Sequence, residues 1–523
     1  MSPVSFADLP NNTNSSWWRD AGMRRGMLHV SILYTAVYSL GYDGSLLNGL
    51  QGLPAWQSNY EQPAGVQLGL IAATYYLPKI PTTFVVAWMV DRFGRKIPLY
   101  VGAVFMLAGA IVGGLTHTRA ELMGARVLLG VGTAFAQITA CSLIPELAHP
   151  RVRHMAGGFL NTTYFIGSIF SSWLCFAMVY YPGGGSDNWS WRIPTLLQGI
   201  GPVILAAGVW FVPESPRWLV NKGRTEEAHA ILAKYHANGE MQDQLVLLEL
   251  HEISTSVEKD RQTAAGGWLS FFQTAGNRRR FFVIIMIGTA TQWIGNGLVN
   301  YFLIPILRTV NITQPAQTTG INGGIAIWSW FAAMLGASLS DKFGRRSLFL
   351  TSLLGCLACF VFITALSGSF ASSGNKNTGI AIIPFLFLFN SFYAIAFTPI
   401  PLLYVPEISP FALRAKSAAL LLLSQNIAQA FNQFVNPVAL AAIAWKYFIV
   451  YVAVISLYFV LFYFFCRETK GLTVEEAGLV YDSAVMRKRG ADMEAAVEEE
   501  AQGDEKDIGD GKEISAHFEE RRI

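Results

Sequence analysis

Three ionisable residues interrupt otherwise apolar stretches: Asp43, Lys79 and Arg126. A charge surrounded by hydrocarbon is costly, so each such residue implies a partner and a use. An aspartate that moves between a guanidinium and an apolar cavity changes its hold on a proton. Alternation between those settings would load a proton on one side of a barrier and release it on the other. The alternative is a static buried pair, which a carrier without proton coupling could also keep. Lys79 is open to three readings: a partner for Asp43, an anchor for an anionic solute, or a side chain that snorkels to an interface.

Amides and aromatic rings within the same stretches form a second set. Hydroxyl groups of a solute both donate and accept hydrogen bonds, and so do Asn and Gln side chains. Trp293, Tyr75, Tyr76 and Phe397 could offer stacking faces. For any single amide the competing explanation is interhelical packing, and it weighs most for Gln429 and Asn432.

These residues need about twelve membrane spans to position them, read at 28–48, 66–90, 97–115, 122–144, 154–180 and 191–211, then at 280–303, 318–340, 347–367, 380–405, 413–437 and 444–466. Hydrophobic types make up 52% of the 523 residues and charged types only 14%, against about 25% charged in soluble domains. The fold class expected is an all-α membrane protein of two six-helix bundles. A polar segment, 1–27, precedes the first bundle at 28–211. A linker with short helices, 212–279, separates it from the second bundle at 280–466. The acidic tail, 467–523, is expected to be largely disordered. The five cysteines lie in or beside apolar stretches without metal-type spacing and read as buried thiols. Lys and Arg cluster in one set of loops, which places both termini and the linker in the cytoplasm. The sequons at Asn188 and Asn311 then face outward as glycosylation sites, whereas those at Asn11 and Asn14 face the cytosol.

The two halves repeat. Asp91-Arg92-Phe93-Gly94-Arg95-Lys96 follows the second span, and Asp341-Lys342-Phe343-Gly344-Arg345-Arg346 follows the eighth. Pro145-Glu146 with Arg153 is matched by Pro406-Glu407 with Arg414, and Glu214 by Glu468. Such order argues for a duplicated six-helix unit with a solute site between its copies. Arg forks hold carboxylates in a bidentate way, so these motifs could latch the bundles together and release when a gate opens. Positive-inside anchoring explains one basic loop, but it does not call for matched glutamates.

Together these motifs resemble the sugar porter family of the major facilitator superfamily over about residues 28–475. Gly41-Tyr42-Asp43, Arg126 with Gly130 and Gly132, Trp191-Arg192-Ile193-Pro194, and Pro213-Glu214-Ser215-Pro216-Arg217-Trp218-Leu219 carry the resemblance. So does Glu468-Thr469-Lys470-Gly471, with Arg467 in place of the usual Pro. The text from Gly41 to Gly49 looks most like fungal hexose and lactose or cellodextrin transporters. The resemblance implies Asp43 and Arg126 as the proton-coupling pair. Position by position, it implies a sugar site at Asn161, Gln292, Asn296, Asn300, Tyr301, Gln425 and Asn426. Gln292 and Tyr301 match the family's seventh-span pattern, where Asn296 or Asn300 would substitute for a missing Asn. The family's Trp in the tenth span is Leu402 here. A less aromatic, more amide-rich site suits a disaccharide, a polyol or a decorated sugar.

The expected function is import of a hexose or disaccharide by proton symport with alternating access. A facilitative uniporter, or a porter of quinate-like organic anions using Lys79, is the alternative. A receptor on the same fold would carry a longer tail with repeated motifs. No phosphate loop, metal cluster or nucleophile motif marks an enzyme. A monomer in the plasma membrane is expected, with no cofactor; the net charge of +3 is too small to suggest nucleic acid.

Overall fold

The computed structural model describes residues 17–182, 187–263, 268–410, 413–472, 477–478 and 480–482; the side chains of Asn161 and Asp341 lie outside that description. Asn11, Asn14 and the tail beyond 482 also lie outside it. Among the described residues the regular structure is entirely helical.

The first span runs from Ala21 to Leu50, starting seven residues earlier than hydropathy suggests. Asp20 caps it, accepting from the Met23 amide at 3.0 Å, so the helix extends past the apolar region into a polar first turn. The second span is broken into Gly65–Tyr76 and Lys79–Phe93. Pro78 has no amide hydrogen to continue the ladder. The third, fourth and fifth spans are Lys96–Leu115, Arg119–Leu147 and Pro150–Met178. The sixth is interrupted between Trp189–Leu197 and Ile200–Val209.

In the second half the seventh span begins at Ala275, capped by Thr274, and breaks between Trp293 and Asn296 at a left-handed Gly295. The eighth and ninth are Pro315–Phe343 and Arg345–Ser373. The tenth is split at Thr398-Pro399 into Ile382–Phe397 and Ile400–Glu407. The eleventh and twelfth are Arg414–Ile443 and Tyr447–Phe465. Among the described residues, seven helical stretches are long and apolar enough by themselves to cross a membrane, and one of these, Lys416–Phe465, contains two spans. The second span falls short because Pro78 divides it into helices of 12 and 15 residues. The first is diluted by Asp43 and a run of Tyr and Ser.

Each bundle has its own apolar core: Leu33, Met106, Leu143 and Leu205 in the first, Ile287, Phe349, Phe389 and Phe462 in the second. Spans one and five cross at glycines. A Cβ on Gly41 would lie 1.9 Å from the Tyr164 carbonyl oxygen, and one on Gly167 would lie 2.1 Å from that of Tyr38. Small residues let helices come this close in a medium that gives no hydrophobic drive to association.

The linker forms the helices Pro216–Asn221, Thr225–His236 and Gln244–Thr263. They dock on the first bundle through a buried polar joint. His236 pairs with Glu249 at 2.5 Å, Glu249 also accepts from Arg153 at 3.0 Å, and the His149 ring meets that of His236 at 5.1 Å. Asn238 accepts from the Gly22 amide and donates to Asp20. Beyond the twelfth span the chain turns back onto the second bundle, where Asp482 pairs with the buried Arg280 at 2.7 Å. The five thiols are unpaired, with four buried and Cys141 half-buried.

Candidate functional site

At the linker end the duplicated motifs fold into duplicated geometry. Arg95 meets Glu146 at 3.1 Å and Arg345 meets Glu407 at 3.1 Å. Glu214 accepts from the amides of Arg95 and Lys96 at 2.9 and 3.4 Å, and Glu468 from those of Arg345 and Arg346 at 2.8 and 3.1 Å. The turns that present these amides need glycine. Gly94 and Gly344 have φ of 86° and 83°, and a Cβ would strike the glutamates at 2.5 and 2.6 Å.

In this conformation, joined at the other end, both Arg–Glu pairs close within their own bundle. The reason is reach, since each arginine starts a helix that packs beside the helix carrying its glutamate. Arg153 likewise turns to the linker's Glu249. Arg217 donates to Ser256, Arg92 lies over Trp88 and Phe93, and the Asp91 carbonyl accepts from Trp218. Arg414 begins the eleventh span and is half-buried.

At the opposite end the bundles are sewn together by amides. Asn48 donates to the Asn300 carbonyl at 3.1 Å and to Asn322 Oδ1 at 2.8 Å, and Asn322 donates to Ser172 at 3.1 Å. Gln51 donates to the Tyr301 carbonyl at 3.3 Å, and Arg308 donates to the Gln51 carbonyl at 2.9 Å. This chain joins spans one, five, seven and eight. Sequence reading missed it, although Asn48 sits within the matched first-span text.

Between the two ends lie the charges and amides. Asp43, Lys79 and Arg126 are 4%, 3% and 8% exposed, so none reaches an interface and the snorkelled reading of Lys79 fails. Neither cation is within salt-bridge distance of Asp43. Instead both rest on one ring: Lys79 Nζ lies 4.0 Å from the Tyr75 centroid and Arg126 Cζ 5.3 Å from it. Lys79 also lies 4.9 Å from Tyr76. Asp43 Oδ1 and Arg126 Nε have no hydrogen-bond partner. The break at Pro78 tips Tyr75 and Lys79 into this arrangement, with Gly130 against it: a Cβ there would lie 2.2 Å from the Tyr75 carbonyl oxygen.

The break in span seven presents the amides. Gln292 is 8% exposed and its Oε1 has no partner, while its carbonyl accepts from Asn432 at 2.8 Å. Tyr301 accepts from Gln429 at 2.8 Å. Asn296 and Asn300 bond each other through their side chains. Gln425 and Asn426 are half-buried on span eleven. Asn161 is helical in span five, its side chain outside the description. Asn432 is consumed by packing, since it also accepts from Tyr451 at 3.1 Å. Phe397 is buried in the second core against Phe349 and Phe462, away from any stacking role. Tyr164 is an addition to the expected set: its hydroxyl lies 3.3 Å from where a Gly44 Cβ would be, beside Tyr301 and Tyr76. Its place three residues after Asn161, on the same helix face, is the signal that could have found it. Asn188 and Asn311 are exposed at the end away from the linker.

Two six-helix bundles, bridged at one end over buried unpaired charges and amides, define a secondary transporter of the major facilitator type. The family described as sugar (and other) transporter matches residues 29–481, and the chain belongs to it. Hexose transporter HXT13 of Saccharomyces cerevisiae is 24% identical over 487 residues, covering 88% of this chain and 85% of the relative. The high-affinity glucose transporter of Kluyveromyces lactis is 26% identical over 467 residues, covering 83% and 81%. An MFS-type transporter, oryC of Aspergillus oryzae, is 26% identical over 402 residues, covering 75% and 73%. The inward-open xylose transporter XylE of E. coli superposes with a TM-score of 0.71 at 20% identity, covering 86% of this chain and 99% of that one. XylE bound to 6-bromo-6-deoxy-D-glucose gives 0.69 at 21% identity, covering 88% and 99%.

Proposed function

We propose that this transporter imports a sugar-like, polyhydroxylated solute together with protons across the plasma membrane, as a monomer with its termini and linker in the cytoplasm. The observation that carries the reading is the pair of buried acceptors without partners, Gln292 Oε1 and Asp43 Oδ1. A buried acceptor left unpaired loses about 1–3 kcal/mol, so a site that keeps one is built for a donor that arrives. A sugar hydroxyl is that donor for Gln292, and a proton is the matching species for Asp43. Hexose and glucose transporters among the relatives, and a neighbour titled a proton:xylose symporter, support the same reading. The loops rich in Lys and Arg lie at the linker end, which supports the orientation, and the exposed sequons at the far end fit an outward face.

The test is uptake of labelled hexoses, disaccharides, polyols and sugar acids by cells lacking their own porters, with external pH recorded. Saturable uptake of a member of the panel with external alkalinisation is expected. No uptake of any member, with the protein at the cell surface, would refute the reading; uptake without alkalinisation would reduce it to a uniporter.

A further inference from the structure

The charges at the centre do not balance. Asp43 is the single described carboxylate among them, and Lys79 and Arg126 are two basic residues at 4.0 and 5.3 Å from the Tyr75 centroid. Other acids of the first bundle, such as Glu121, Glu146 and Glu214, stand at span ends. By formal charge the interior therefore holds two basic groups against one carboxylate, with neither paired to Asp43. Contact with tyrosine faces offsets only part of the desolvation of a cation. An uncompensated buried charge is destabilising beyond that. Static packing would remove the lysine, since a small residue would fit the second span at no such penalty.

The ammonium is also close to the amide site. Lys79 lies over Tyr76, and the Tyr76 ring meets the Tyr301 ring edge-on at 6.0 Å. Tyr301 is held by Gln429, and Tyr301, Tyr76 and Tyr164 converge around Gly44. The cation thus stands two rings away from Tyr301.

We infer that the solute is a sugar acid: a polyhydroxylated monocarboxylate of hexose size, whose carboxylate is held by Lys79 while its hydroxyls meet Gln292 and the tyrosines. This rests on the import reading above and names the substrate class of that site. A carboxylate beside Lys79 would cancel the excess charge, and Asp43 would remain free to carry the coupled proton. Neutral hexoses would leave Lys79 uncompensated and enter as poorer substrates.

The experiment compares labelled gluconate, galacturonate and glucose in porter-deficient cells expressing the wild type, Lys79→Gln and Lys79→Arg at matched surface levels. Saturable uptake of at least one acid is expected, falling tenfold or more in kcat/KM in Lys79→Gln and largely retained in Lys79→Arg, with the acid-to-glucose ratio of kcat/KM falling at least tenfold in Lys79→Gln. Purified wild-type protein supplies a second measurement should Lys79→Gln fail to fold: gluconate should raise its melting temperature and glucose should do so less. Uptake and stabilisation by glucose but by neither acid would overturn the sugar-acid assignment and leave the import reading standing. Acid uptake that survives unaltered in Lys79→Gln would overturn the role of Lys79. Failure of every solute would remove the import reading itself.

Discussion

Arg95 and Glu146 form a two-pronged ion pair, Nε to Oε2 at 3.2 Å and Nη2 to Oε1 at 3.1 Å, within the first bundle; in the second, Arg345 Nη2 meets Glu407 Oε1 at 3.1 Å while Glu407 Oε2 accepts from the Thr469 hydroxyl at 2.7 Å. In this conformation each pair ties two helix ends within its own bundle. Motion of one bundle against the other must proceed around these joints. Glu146→Gln should slow turnover by about tenfold while leaving the substrate Kd within about twofold, since a partly buried pair contributes on the order of 1 kcal/mol to one conformation over another. Counterflow rates and binding in detergent separate the two effects; a Kd that rises with turnover unchanged contradicts the assignment.

Gln292 should contact the solute. Gln292→Ala removes the unpaired Oε1 and its amide. The half-saturation constant should rise about tenfold or more, equivalent to about 1.4 kcal/mol. An unchanged constant at normal surface expression would place the residue with Asn432 as packing.

Asp43 should couple the proton. With no partner within bonding distance, it is poised for a proton rather than locked into a static pair. Asp43→Asn should abolish accumulation against a gradient and spare equilibrative exchange. Full accumulation by that variant, or the absence of solute-induced alkalinisation in the wild type, overturns this role.

Acid should loosen the linker. Burial, with the charge of His236 nearby, pushes His149 down to about 4 from an ordinary 6.5. Glu249 is held below its ordinary 4.5 by His236 and Arg153, which outweigh its burial. Both groups bind fewer protons when the linker is docked, so docking is favoured at high pH. Its stability should fall as pH drops from about 6.5 towards 4 through His149, and further below that through Glu249. The loss through His149 is on the order of 3 kcal/mol. Protease susceptibility of the segment 212–279 across pH reads this out, and His149→Gln should flatten the upper part of the profile. A flat wild-type profile between those limits rules the mechanism out.

The crossing of spans one and five should tolerate nothing larger than glycine. A Cβ at Gly41 would sit 1.9 Å from a backbone oxygen, which cannot rotate away as a side chain does. Gly41→Val should reduce surface expression severely, at a cost of several kcal/mol from forced backbone shifts. Expression near wild type would mean that the helices can part here.

Much of this protein was written in local text. Hydropathy located the spans because a bilayer demands runs of apolar residues, and duplicated motifs exposed the two halves because matched ends must satisfy matched helices. Asp43, Lys79 and Arg126 stood out because charge is rare at such depth. Gln292 and Tyr301 came from the resemblance, at the place where Gly295 breaks a helix. The tertiary structure decided what these residues touch. That Arg95 pairs inside its bundle, that Lys79 and Arg126 share the ring of Tyr75 instead of clasping Asp43, and that Asn48, Asn322 and Ser172 bridge the halves all depend on helix rotation and on the kink at Pro78. Those quantities are set by packing between segments far apart in the chain, such as Gly130 against Tyr75, which no local pattern encodes.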